Sequence, residues 1–118
     1  MNEDLENLRQ RLADFAERRD WQQFHSPKNL SMALAGEAGE LLEHFQWLTE
    51  EQSHHLDDQK RDAVALELAD IFIYLVRIAD QLGVDLLESA QRKVVINEAR
   101  YPEDKVRGDA RRASEYEQ

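Results

Sequence analysis

The chain has 118 residues, with 15 Lys and Arg against 25 Asp and Glu for a formal charge of −10, and it contains no cysteine. That length suits one domain of roughly 100–150 residues, and the missing cysteine excludes disulfide scaffolds and cysteine-type zinc sites. The acidic balance argues against a nucleic-acid backbone as ligand, since that affinity comes from Lys and Arg displacing counterions. The start Met1-Asn2-Glu3-Asp4-Leu5 has no basic stretch leading into an apolar one, and no apolar run nears the ~18–20 residues of a membrane span. A cytoplasmic protein that binds neither nucleic acid nor membrane is expected.

Leu5, Leu8, Leu12 and Phe15 fall on one face of a first amphipathic helix ending near Arg19. Asp20 to His25 is an aromatic-rich connector. Ser26-Pro27 then signals a helix start, with Ser as N-cap and Pro where its missing N–H costs nothing, and the second helix is expected to run to about Trp47. The polar stretch from Thr49 to Lys60 reads as a loop with room for one turn of helix. A third helix, from Asp57 or Asp62 to Leu82, is apolar on most faces (Val64, Leu66, Leu68, Ile71, Phe72, Leu75, Val76, Ile78, Leu82), the mark of a central helix. Gly83 stops it. Asp85-x-x-Glu88 is a capping box for a fourth helix reaching Arg100, which Pro102 ends. With only four Gly and two Pro, and no alternating pattern, the fold class is all-α: a four-helix bundle over residues 1–102, followed by a charged, loose tail over 103–118. From Arg100 onward five basic and five acidic residues cancel, so residues 1–99 carry the whole −10.

Most of those acids are expected on a solvated surface. Four are not. Glu37-x-x-Glu40 and Glu67-x-x-Asp70 each place two carboxylates on one helical face, and the second pair sits among apolar residues where an unpaired buried charge would cost several kcal/mol. Extending the rows by a turn gives Glu37, Glu40, His44, Trp47 and Glu67, Asp70, Tyr74, Arg77; Arg77 is the one cation on its row. If the pairs face each other, they offer oxygen ligands to a hard cation, Mg²⁺ or Mn²⁺. Gly36 and Gly39 beside Glu37 suggest close approach of backbone or ligand. A di-iron site would need two Glu-x-x-His units, whereas the one such spacing, Glu51-x-x-His54, lies in the polar loop, where His54 and His55 are expected to be solvated. On the fourth helix, Lys93, Asn97 and Arg100 share a face with Tyr101 beside them. Cations next to a carboxylate-held metal describe a polyphosphate site, and Trp21, Phe24 and Trp47 are candidates to stack on a base.

In order along the chain, Arg19-Asp20-Trp21-x-x-Phe24-His25-x-Pro27-x-Asn29-Leu30, Gly36-Glu37-x-Gly39-Glu40-Leu41, Phe45-Gln46-Trp47, Glu67-Leu68-x-Asp70-x-x-Ile73-Tyr74-Leu75 and Lys93-x-x-x-Asn97-x-x-Arg100-Tyr101-Pro102 form a distinctive set, with 26 residues between the carboxylate pairs. It resembles the MazG-like all-α nucleoside triphosphate pyrophosphohydrolases, and within them the dCTP pyrophosphatase branch. The resemblance implies Mg²⁺-dependent hydrolysis of a (deoxy)nucleoside triphosphate, dCTP or a modified pyrimidine nucleotide, to the monophosphate and pyrophosphate in nucleotide-pool house-cleaning. It implies that Glu37, Glu40, Glu67 and Asp70 hold the metal and that Glu37 or Glu40 is the catalytic base. Substrate contacts would come from Trp21 and Trp47 at the base, Tyr74 at the deoxyribose, and Lys93, Asn97, Arg100 and Tyr101 at phosphates and sugar. It further implies a homodimer or homotetramer with a site shared between chains. One departure is Leu12, which stands where animal members carry a histidine that takes part in base recognition. The same cluster would serve dUTP, a purine triphosphate or phosphoribosyl-ATP. The alternative from another class is a non-catalytic helical dimerisation module whose acids decorate its surface.

Overall fold

A computed structural model of the chain describes residues 2–110. All regular structure among the described residues is helical: α1 (Glu3–Arg18), α2 (Pro27–Glu43), α3 (Glu50–Ser53), α4 (Asp58–Leu82), α5 (Leu86–Arg100) and α6 (Glu103–Val106), with a 3-10 turn at Gln22–Phe24. They form two compact units that divide between Val84 and Asp85. The first holds α1 to α4, the second α5 and α6.

Local capping sets the helix starts. The N–H of Asn29 donates to Ser26 Oγ at 3.1 Å, that of Lys60 to Asp57 Oδ1 at 2.7 Å and that of Glu88 to Asp85 Oδ1 at 3.0 Å, each satisfying a donor the helix cannot. Thr49 and Gln52 make a reciprocal capping box that starts α3 inside the stretch expected to be a loop. Of the expected tail, residues 103–106 wind into α6, while 111–118 lie outside the described residues.

The second helix is shorter than its apolar pattern suggests. After Glu43 the N–H groups of His44 and Phe45 reach back only three residues, to Leu41 and Leu42, at 3.1 and 2.9 Å. Gln46 N–H also returns to Leu42 O at 2.9 Å, so the regular bonding breaks up here and residues 44–47 form a turn. The first helix ends in a Schellman motif: Trp21 N–H donates to Ala16 O at 2.9 Å and Asp20 N–H to Glu17 O at 3.0 Å. Its left-handed residue is Asp20, at φ 55°, rather than a glycine, and the apolar contact that accompanies the motif is the Phe15–Trp21 pair, with ring centroids 5.7 Å apart. Gly83, at φ 65°, ends α4 with the same two bonds, from Gly83 N–H to Asp80 O at 3.2 Å and from Val84 N–H to Ala79 O at 2.8 Å.

Within the first unit α4 is central, and both α2 and α1 pack on it. Ala16, Leu30, Val64, Val76 and Ala79 form the buried core. The expectation that α4 is sheathed on most faces fails on one side, where Leu66, Leu68, Phe72 and Leu75 are exposed, Leu66 at 68%. Among the described residues of this unit, α2 and α1 supply the main packing on α4, which leaves part of an all-round apolar helix uncovered.

Candidate functional site

The α2–α4 contact brings the two carboxylate pairs together. Carboxylate oxygens of Glu37, Glu67 and Asp70 lie within 4.8 Å of one another. Glu40 stands one turn from Glu37 on α2, close enough for its carboxylate to hydrogen-bond a protonated Glu37. Burial differs from expectation: Glu37 and Glu67 are half-buried, whereas Asp70 and Glu40 are exposed. The reason is the uncovered side of α4, which leaves Asp70 at the edge of the cluster.

Desolvation and charge crowding both act on Glu37. The Glu37 carboxyl is pushed up from 4.5 to about 7, first by desolvation, then by hydrogen bonding to the Glu67 and Glu40 carboxylates, then by the charges of Glu40 and Asp70. Glu37 Oε2 and Glu67 Oε2 are buried and have no hydrogen-bond partner. Buried polar atoms are rarely left unpaired, and two carboxylate oxygens cannot satisfy each other without a proton or a cation. Oxygens on one Mg²⁺ at about 2.1 Å lie up to about 4.2 Å apart, so small side-chain rotations would let this oxygen-only donor set share an ion.

The neighbouring positions fall out unevenly. Tyr74 is half-buried on α4, one turn from Asp70. Arg77, the cation on the same row, does not neutralise the cluster; it bonds Asp80 and His25 instead. Trp21 follows α1 with its ring edge-on to Phe15 and His25. Trp47 is off the Glu37–Glu40–His44 row because α2 ends early, and it is 87% exposed. Gly36 and Gly39 do not meet the close approach expected of them within this chain: a Cβ at either would have nothing within 4 Å. His55 makes an exposed pair with Glu51 at 3.3 Å, in keeping with a solvated loop. In the second unit Lys93, Asn97 and Arg100 are exposed on α5, and Tyr101 caps it, its N–H donating to Asn97 O at 2.8 Å.

The MazG-like family model matches residues 33–115, which include both carboxylate pairs. The chain belongs to the MazG-like family. Relatives named dCTP pyrophosphatase 1 include that of Homo sapiens, 44% identical over 113 residues, or 94% of this chain and 66% of the relative. The one from Bos taurus is 46% identical over 108 residues, 90% of this chain and 64% of the relative. This MazG-like chain thus spans slightly less than two thirds of their length. Its fold matches the crystal structure of a pyrophosphatase from Archaeoglobus fulgidus at 33% identity and a TM-score of 0.81, over 86% of this chain and 95% of that one. No described helix is long and apolar enough to cross a membrane.

Proposed function

We propose that this MazG-like chain is a divalent-cation-dependent nucleoside triphosphate pyrophosphohydrolase in nucleotide-pool house-cleaning. It splits dCTP or a modified pyrimidine deoxynucleotide between the α- and β-phosphates, giving the monophosphate and pyrophosphate. The observation that carries this reading is the pair of partnerless oxygens, Glu37 Oε2 and Glu67 Oε2, within the Glu37–Glu67–Asp70 cluster. The similarity to relatives named dCTP pyrophosphatase 1 points to the substrate.

Glu37, Glu67 and Asp70 would hold the cation with Glu40 beside them, and Mg²⁺ or Mn²⁺ is the fitting ion for oxygen donors. When bound, such an ion lowers the pKa of a water and offsets phosphate charge. Glu37 or Glu40 takes the proton from the water that attacks the α-phosphorus, a role open to a carboxylate within hydrogen-bond reach. Lys93 and Arg100 stabilise the negative charge of the leaving pyrophosphate, and Asn97 and Tyr101 orient phosphate and sugar. Tyr74 packs on the deoxyribose, and Trp21 and Trp47 present flat apolar faces to the base.

The exposed row Leu68, Phe72 and Leu75 on α4 fits a second copy of the chain, giving the homodimer or homotetramer in which Trp47 would lose its exposure. Sedimentation velocity tests this. The parent should run as a dimer or larger, and Leu68→Glu with Phe72→Glu should shift it to the monomer; a monomeric parent removes the assembly from the proposal.

The experiment for the activity is a panel of natural and modified (d)NTPs with Mg²⁺, scoring pyrophosphate against orthophosphate. Pyrophosphate release, fastest with a pyrimidine deoxynucleotide, is the expected result. Orthophosphate as the product, or no turnover of any nucleotide, would contradict the proposal. In the same panel Trp47→Ala should narrow the rate ratio between preferred and disfavoured bases several-fold, since base stacking contributes about 1–3 kcal/mol. Mg²⁺ titration should be unchanged in that variant.

A further inference from the structure

The connector that carries Trp21 is held by a line of charged groups that the proposed chemistry does not use. Arg77, one turn beyond Tyr74 on α4, is only 3% exposed. Its Nη1 donates to Asp80 Oδ2 at 3.1 Å, and its Nη2 meets His25 Nδ1 at 3.4 Å. The other Asp80 oxygen, Oδ1, accepts from Arg9 Nη1 of α1 at 3.0 Å, and Arg9 is paired in turn with Glu6. Three segments of the first unit are therefore joined in a single line: α1 through Glu6 and Arg9, α4 through Arg77 and Asp80, and the connector through His25, directly before the Ser26 cap of α2.

The chemistry fixes the state of the histidine. A guanidinium has donors only, so Nδ1 of His25 is the acceptor and the ring proton sits on Nε2. Burial and the nearby Arg77 charge both push the His25 pKa down, which favours the same neutral ring. The ring then lies edge-on to Trp21, centroids 6.3 Å apart at 61°, while Phe15 of α1 approaches Trp21 at 5.7 Å and 72°. Trp21 is thus bracketed by Phe15, fixed on a helix, and by His25, whose Nδ1 meets a buried arginine.

We propose that Arg77 and His25 are positioning residues for base recognition: Arg77, anchored on Asp80, fixes the His25 ring, and the ring fixes the Trp21 indole. This rests on the assignment of Trp21 to the base pocket. The buried arginine on the metal-bearing helix then serves to lock the connector to that helix, so that carboxylates and base wall keep one relative geometry.

The test uses the full chain in two backgrounds. In Trp47→Phe, Trp21 is the sole tryptophan and its acrylamide quenching is measured without nucleotide; in the parent, KM and kcat are measured for the preferred nucleotide. Because Arg77 substitutions risk unfolding, His25 is varied instead. His25→Leu removes the acceptor, and His25→Asn supplies an oxygen close to the Nδ1 position. His25→Leu should raise the quenching constant about twofold and KM about tenfold with kcat within threefold, an effect of roughly 1.4 kcal/mol by the tenfold rule. His25→Asn keeps an acceptor for Arg77 but has no ring against Trp21, so it should resemble His25→Leu in both readouts. Unchanged quenching in His25→Leu overturns the proposal, as does raised quenching with unchanged KM in an active enzyme, or an Asn variant that restores both, since the ring would then not be what holds the indole. If the parent turns over no nucleotide, the functional assignment fails by itself, and quenching still decides whether His25 positions Trp21.

Discussion

Glu67→Gln is expected to abolish Mg²⁺-dependent pyrophosphate release, by more than about 100-fold, because even residues that only support a metal ligand commonly cost 10–100-fold. The substitution preserves shape and removes one charge from a cluster whose oxygens lie within 4.8 Å of one another. Glu67 Oε2 is buried without a partner, and the amide of glutamine can still bond the neighbouring Glu37 carboxyl. The helix should survive, so far-UV circular dichroism is expected to match the parent, and loss of turnover then reports chemistry rather than unfolding. Asp70→Asn should behave in the same way; being exposed, it has even less influence on the core. Mg²⁺ should raise the melting temperature of the parent and leave that of Glu67→Gln nearly unmoved, as expected of a ligand that binds only the folded state. Parent-like activity in either variant would contradict the metal assignment.

What could be read from the residues divides along the range of the interactions. Ser26-Pro27, Asp57, Gly83 and Asp85 mark their boundaries through bonds to residues three to five positions away, so the starts of α2, α4 and α5 and the end of α4 are visible in the one-dimensional pattern. The carboxylate rows are equally local in origin, since residues three apart must share a helical face. The facing of Glu37 on Glu67 is not local, and it was legible only because an unpaired charge in an apolar stretch demands a partner. Three features lay beyond such reasoning. Asp20 takes a left-handed conformation that glycine would have advertised. The end of α2 depends on Phe45 to Trp47 leaving an apolar pattern that would have continued it. Arg77 was visible as a cation on the metal row, yet its choice of Asp80 and His25 over Glu67 and Asp70 is decided by tertiary packing. The exposure of Asp70 has the same origin, because periodicity shows that a helix is apolar all round but not how many neighbours one copy of the chain provides.

Glu37→Gln is expected to stabilise the metal-free protein near neutral pH while destroying its activity. In the folded chain the Glu37 carboxyl titrates near 7 rather than 4.5, chiefly through desolvation and then through its carboxylate neighbours. Between those values the folded state holds more proton than the unfolded one, so the stability this group contributes is complete below about pH 4.5 and is lost as pH rises through 7. Glutamine does not titrate, and the melting temperature of the variant should therefore exceed that of the metal-free parent by a margin that grows from about pH 5.5 to about pH 8. His25 works in the opposite direction: its lowered pKa makes stability rise with pH through its own range. That contribution is common to parent and variant and cancels in the difference. Saturating Mg²⁺ should reverse the order, because a cation offsets the charge that raises the Glu37 pKa and binds the four-carboxylate parent more tightly than the variant. A margin that stays constant with pH would show that the Glu37 carboxyl is not crowded. An equal Mg²⁺ shift in both proteins would show that it is not a ligand. The combination expected here, a more stable but inactive protein, follows from a site that accumulates negative charge for a cation at the expense of the metal-free fold.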